Sequence, residues 1–190
     1  MKEILISIKP RWCELIASGK KTIEVTKTRP NIDTPFKCYI YCTFDDIGAP
    51  SKTTLWRDYK YWTKYITRGK VIGEFICDAI YKIDRDSTNF FYEREHDIFY
   101  MDYAESQLNL CACIPHCNLK KYLGHKVGYG LHISDLKIYD EPKRVSDFVK
   151  PCDRESDCCA CRRWNYSAQN CEDSITTPPK TFCYVEKTEE

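Results

Sequence analysis

The segment from Pro151 to Glu190 holds almost no aliphatic side chains: Ile175, Val185, Ala160 and Ala168 are all of them. A stretch this poor in apolar bulk cannot bury enough surface to offset its own ordering entropy, so it needs a staple. Cysteine supplies one. Six of the thirteen cysteines (Cys152, Cys158, Cys159, Cys161, Cys171 and Cys183) fall in this stretch. A conventional hydrophobic core has to come from the residues ahead of it.

Cys158-x-x-Cys161 has knuckle spacing, in which two thiolates approach one ion, and Cys152 and Cys171 flank it at loop-closing distances. Four thiolates at about 2.3 Å around tetrahedral zinc is the natural assembly, a closed and therefore structural site. Cys159 or Cys183 can replace one ligand, and disulfides or an unordered tail are the alternatives. Metal binding of this kind supplies folding free energy.

An odd cysteine count cannot close a complete disulfide framework, and clustered cysteines in a reducing compartment are more often metal ligands. The other seven, spread over the first 151 residues, read as small buried hydrophobes. The apolar run at the N-terminus ends at Lys9-Pro10 without a small-residue cleavage site, so it reads as a first strand rather than a signal peptide. Nothing approaches the roughly 20 apolar residues that span a bilayer. With 43% hydrophobic and 30% charged residues, the composition is that of a globular protein. The expectation is a cytoplasmic protein with no membrane partner.

Net charge is only +1, but it is unevenly spread. Residues 1–70 carry 14 Lys/Arg against 7 Asp/Glu, whereas residues 71–110 carry 3 against 9. A basic face suits an anion such as a nucleic acid or nucleotide, although solvated charges that cluster by chance look the same.

Residues 3–8 have β-branched strand character. Pro10 suits the first turn of a helix that carries Trp12, Leu15 and Ile16 and stops at Gly19. From Lys21 to Lys27 the pattern alternates, with Ile23 and Val25 on one side and Thr22, Glu24 and Thr26 on the other. Phe36 to Thr43 reads as a strand with Tyr39 and Tyr41 opposed to Cys38, Ile40 and Cys42. Lys70 to Asp84 reads as one long strand with a bend at Gly73. Leu119 to Leu123 reads as a short helix ended by Gly124, and Tyr129 to Tyr139 as the last strand of the body. Short strands with few short helices predict an α+β fold around a small twisted β-barrel. The division is a body at 1–142 and a Cys-rich, zinc-stabilised extension at 143–190.

Between Trp56 and Arg68, aromatic and basic residues interleave: Trp56, Arg57, Tyr59, Lys60, Tyr61, Trp62, Lys64, Tyr65 and Arg68. Such a run suits stacking on a single-stranded nucleic acid, and equally an amphipathic lid helix.

At Gly19-Lys20-Lys21-Thr22-Ile23-Glu24 the chain resembles the ASCH domain of the PUA-like superfamily, whose signature runs Gly-x-Lys-x-x-Glu-x-Arg after a strand and a short helix. Gly19, Lys21 and Glu24 match it. The Ile-Gly-Glu-Phe strand and the Gly-Leu-His-Ile-Ser-Asp-Leu strand look like the family too, over about residues 3–140. With its Cys-rich end, the whole chain resembles phage- and prophage-associated bacterial ASCH proteins. The resemblance implies a PUA-like barrel whose cleft takes RNA or a nucleotide-type ligand. Thr26 occupies the place of the signature arginine, replacing a planar charged fork with a hydroxyl. Arg29 is a candidate to compensate.

Lys21 and Glu24 are therefore the principal candidates, as ligand groups or catalytic ones, against the alternative of a surface ion pair worth about 0–1 kcal/mol. Arg11, near the helix start, is a candidate phosphate contact. His132 and Ser134 complete the candidate ligand set with Thr26 and Arg29, although a structural histidine is the stronger reading of His132. Some ASCH proteins hydrolyse acylated cytidine nucleosides with a Lys, a Thr three residues on and a distant Glu, and others are ribonucleases. Here Glu24 stands where that Thr would be, and Glu74 is the candidate second carboxylate. The leading expectation is an RNA- or nucleotide-binding module. The alternatives are a hydrolase of RNA or a modified nucleoside, or a protein that sequesters a nucleotide or host protein partner.

Overall fold

The computed structural model describes residues 2–44, 53–57, 63–83, 90–94, 97–101, 110–151, 164–165, 170–171 and 174–186. Only the backbone is described at 2, 53–57, 63–67, 90–94, 97–101, 116, 164–165 and 170–171.

The chain opens with β1 (Lys2–Ile8), α1 (Pro10–Ala17), β2 (Ile23–Thr26) and β3 (Phe36–Cys42). Pro10 sits in the first turn of α1, and Gly19, at φ 70°, takes the left-handed conformation just beyond its end. β3 pairs parallel with β1, so α1 and β2 lie on the crossover between them. The alternation expected in β3 holds. Cys38, Ile40 and Cys42 join Ile4, Ile6, Ile8 and Ile16 in the main core, while Tyr39 and Tyr41 pack with Leu5, Phe148 and Val185 on the opposite face.

Next come the hairpin β4 (Thr53–Arg57) and β5 (Thr63–Thr67), then β6 (Lys70–Cys77), β7 (Ile80–Ile83), β8 (Phe90–Arg94) and β9 (Asp97–Met101). The single strand expected over Lys70 to Asp84 is thus two strands. Among the described residues they belong to different five-stranded sheets. With β10 at Gly128–His132, β11 at Ser134–Lys143 and β14 at Phe182–Glu186, one has the order β11-β6-β3-β1-β14 and the other β2-β10-β7-β8-β9. A similar division separates β10 (Gly128–His132) from β11 (Ser134–Lys143), where one strand was expected. Apolar residues at both junctions hid the changes of sheet: Ala79 precedes β7, and Ile133 is a single buried residue between β10 and β11. Nor is β11 the last strand of its sheet. β14 (Phe182–Glu186) pairs antiparallel with β1, with Ile6 opposite Phe182 and Lys2 opposite Glu186.

Gly73 marks the expected irregularity. The β3–β6 register slips between Ile40 and Tyr41, and a Cβ at Gly73 would stand 2.4 Å from the Lys137 carbonyl oxygen. Only a glycine lets β11 approach β6 so closely.

α2 (His116–Leu123) ends at Gly124, whose φ is 63°. Its Leu119 and Leu123 pack on Ile23, Val25 and Ile83, covering the second sheet. The two-residue strands β12 (Trp164–Asn165) and β13 (Asn170–Cys171) pair with each other inside the Cys-rich stretch. The result is an α+β fold of mixed sheets with few helices. Among the described residues, no helix is long and apolar enough to cross a membrane.

Candidate functional site

Lys21 is 1% exposed and Glu24 12%. The backbone of the Lys20–Thr22 turn is pinned on both sides: Lys21 N–H donates to the Leu15 carbonyl, Thr22 N–H to Cys111, and Ile133 N–H to the Thr22 carbonyl. The turn therefore holds the Lys21 side chain inward, at the start of β2. Its Nζ donates to the Ala112 carbonyl at 2.7 Å, lies 3.3 Å from Glu24 Oε2, and sits 5.2 Å from the centroid of the Trp12 ring. One carbonyl, one carboxylate and one aromatic face thus surround a buried ammonium.

Glu24 is less well served. The contact from Oε2 to Lys21 is ionic but lacks the alignment of a hydrogen bond, and Oε2 is buried without any hydrogen-bond partner. Burial raises its carboxyl above the ordinary value, and the charge and hydrogen-bonding capacity of Lys21 draw it only part of the way back. The Tyr122 phenol is also raised, first by burial and then by the negative charge of Glu24.

These groups line a cavity of about 510 Å³, enclosed by the end of β1, α1, β2, α2 and the approach to β14. A volume in the range of roughly 300–1,000 Å³ is typical of small-molecule sites. Lys21, Glu24 and Thr26 line it together, with Trp12 and Tyr122 as aromatic walls. Lys9, Thr43, Lys180 and Thr181 also border it. Among the described residues three lysines face one carboxylate, so this part of the lining carries a cationic surplus.

Thr26 is 1% exposed, and its Oγ1 donates to the Thr28 carbonyl at 2.8 Å, which closes the turn after β2. Arg29 donates from Nη1 to the Pro30 carbonyl at 3.3 Å, and Arg11 lays its guanidinium 5.0 Å from the Trp12 ring centroid. Neither arginine borders the cavity. Trp12 is both partly buried against the core and part of the cavity wall.

His132 and Ser134 lie elsewhere, at the junction between the sheets. His132 Nδ1 is 2.6 Å from Asp78 Oδ1, its N–H donates to the Ala79 carbonyl, and Ser134 Oγ donates to the Ile76 carbonyl. Together they tie one change of sheet to the other. Glu74 is also outside the cavity, hydrogen-bonded to the Tyr139 hydroxyl at 2.5 Å and to Lys37 at 3.3 Å. Burial alone would raise its carboxyl, but Tyr139, Lys37 and then Lys137 outweigh it and hold it below the ordinary value.

Lys9, Lys180 and Tyr122 carry no motif that singles them out; their place at the cavity comes only from tertiary pairing. In the aromatic and basic run, residues 53–57 and 63–67 form strands rather than a lid helix, and the side chains of Trp56 to Tyr65 lie outside the described set. Of the proposed zinc ligands, Cys152, Cys158 and Cys161, together with Cys159, also lie outside it, and Cys171 is described by its backbone alone, opposite Trp164. Among the described residues, no group of three His, Cys, Asp or Glu is placed to hold a metal. The buried body cysteines behave as expected: Cys13, Cys38, Cys42 and Cys77 are core residues. Burial raises the Cys13 and Cys38 thiols well above normal and the Cys77 thiol to about 12. Cys111 and Cys113 are half-buried and Cys117 is exposed.

Among solved structures, the chain is similar to the ASCH protein of Zymomonas mobilis. Identity to the wild-type protein is 18%, over 97% of this chain and 88% of that one, with a TM-score of 0.54. A serine-to-alanine mutant of that protein gives 18%, 97%, 89% and 0.55, and a tyrosine-to-phenylalanine mutant 18%, 98%, 92% and 0.55. The fold is thus ASCH-like. No family model and no curated protein matches the chain.

Proposed function

We propose that this chain binds RNA or a nucleotide-type ligand in the cavity built around Lys21 and Glu24. The observation that carries the reading is a buried ammonium, Lys21, paired at 3.3 Å with the Glu24 carboxylate on the lining of a cavity of about 510 Å³. A desolvated ion pair on a cavity wall offers both a cation and a carboxylate to a polar ligand, and the exocyclic amine of a nucleobase is a fitting donor to the carboxylate. Trp12 and Tyr122 offer stacking faces, and the lysine surplus attracts an anion. The ASCH-like fold adds to this.

In this reading the cavity is the cleft of a PUA-like barrel, and the Cys-rich segment 143–190 is an extension held by structural zinc through Cys152, Cys158, Cys161 and Cys171. The support for zinc is compositional: knuckle spacing in a stretch without aliphatic bulk. A cytoplasmic location and kinship with phage-associated proteins accompany this reading.

Binding is favoured over hydrolysis because Glu74, the second carboxylate, is engaged with Tyr139 and Lys37 outside the cavity. The test is titration of labelled single-stranded RNA and a nucleoside and nucleotide panel against wild type, Lys21→Ala and Glu24→Gln, at two salt concentrations. Affinity that falls with salt and is lost in both variants is the expected result. Unchanged binding in both variants rejects the cavity, and turnover of RNA or acetylated cytidine transfers the reading to a hydrolase.

A further inference from the structure

The Cys-rich extension does more than edge a sheet, because its lead into β14 forms one wall of the cavity. Ser7 Oγ donates to the Pro179 carbonyl at 2.6 Å, and Ser7 N–H donates to the Thr181 carbonyl at 2.8 Å. These bonds continue the β1–β14 pairing past Ile6 and Phe182 and fix Lys180 beside the end of β1, where Lys9 follows. Both lysines are exposed residues that border the cavity. Neither ammonium has a carboxylate partner among the described residues.

The two ends of the cavity therefore differ in chemistry. At the floor, Lys21 is matched by Glu24, close to the flat face of Trp12. At the rim, two cations on neighbouring segments have no counter-charge among the described residues. An anion that reaches both ammonium groups gains charge-assisted hydrogen bonds from each.

We infer that Lys9 and Lys180 form a phosphate clamp at the rim, so that the site takes a phosphorylated nucleoside in preference to the bare nucleoside, with the C-terminal extension supplying half of the clamp. The inference rests on the nucleotide-binding reading above and adds to it the ligand's charged group. Lys180 is thereby a specificity residue that the Gly-x-Lys-x-x-Glu motif does not contain.

The test compares the four ribonucleosides with their 5′- and 3′-monophosphates by calorimetry on the full chain, for wild type, Lys180→Ala, Lys180→Glu and Lys9→Ala. Wild type should favour a monophosphate over its nucleoside. Each alanine variant should reduce that ratio roughly two- to fivefold, the range of exposed ion pairs, and the charge reversal should reduce it further. Which phosphate position shows the larger loss tells how the sugar is oriented. Equal affinity of wild type for nucleosides and monophosphates, or a ratio unmoved by Lys180→Glu, overturns the clamp while leaving the base site standing. Loss of nucleoside binding in Lys21→Ala with the ratio in the lysine variants unmoved separates a sound base site from a failed clamp. A wild-type chain that binds neither nucleosides nor monophosphates overturns both readings.

Discussion

Lys21 Nζ lies 3.3 Å from Glu24 Oε2 in a position where the lysine is 1% exposed and the carboxylate 12%. The two residues are three apart in sequence, yet the pair is neither a helical surface contact nor a screened one. It is a desolvated ion pair at the wall of a cavity, and its energetics follow from that.

Lys21→Met removes the only ammonium facing Glu24 that the described structure pairs with it, leaving a buried carboxylate without compensation. Breaking a buried pair in this way should lower stability by about 3 kcal/mol at neutral pH. The sign of the pH dependence follows from the direction of the shift. Without Lys21, the folded-state value of Glu24 stands still further above the ordinary 4.5. The deficit relative to wild type should be small below the unfolded value and grow as pH rises through the folded one. Urea unfolding at about pH 4 and about pH 7.5 measures it; a deficit independent of pH would mean that the carboxylate is not the source.

Glu74 has the opposite behaviour. Its folded-state carboxyl is held below the ordinary 4.5, so it contributes stability above the unfolded value that is lost as pH falls through the folded one. Tyr139→Phe deletes the hydrogen bond to Oε2 and should lower stability by about 1–2 kcal/mol at neutral pH. The gap to wild type should close on acidification, and parallel stability curves down to acid pH would contradict the assignment.

Gly73→Ala places a methyl group 2.4 Å from the Lys137 backbone carbonyl. No flexible side chain can yield there, so β11 must move away from β6. A loss of about 2–3 kcal/mol is expected, read by thermal or chemical denaturation.

Ser7→Ala removes the hydroxyl that holds Pro179. Stability should fall by about 1 kcal/mol, and RNA affinity should fall with it because the 179–181 wall is loosened. Denaturation combined with an RNA titration tests both, and a stability loss with unaltered affinity would separate that wall from binding.

The zinc proposal predicts one zinc per purified chain by elemental analysis. Cys158→Ser and Cys161→Ser should each abolish it, whereas Cys13→Ser, in the hydrophobic core, should retain it. Retention of zinc in both knuckle variants would refute the ligand set.

The first three strands and α1 were legible because local pattern and burial agree there: alternation in β3, Pro10 at a helix start and Gly19 at φ 70° just past its end. The changes of sheet at Ala79 and Ile133 were not, since those residues are apolar and continue the pattern of their neighbours while the backbone turns. In the candidate site, Lys21 and Glu24 were singled out by motif, and strand parity put Thr26 on the side of Glu24, although Val25 from the other side borders the cavity as well. His132 and Ser134 share the spacing of a strand face but fall on either side of a sheet crossover, which spacing alone does not reveal. Lys9 and Lys180 are brought together by a strand pair whose members are separated by most of the sequence. No local pattern encodes such an encounter.

The β1–β14 pairing has a consequence for biosynthesis. β1 finds its parallel neighbour β3 after a few dozen residues, but its other edge stays unmatched until Phe182 to Glu186 has been translated. At about 5–20 residues per second, the interval lasts many seconds. A nascent chain stalled ahead of Phe182 would present a bare hydrogen-bonding edge and a half-built pocket together, so the cavity wall is complete only once that segment has been made.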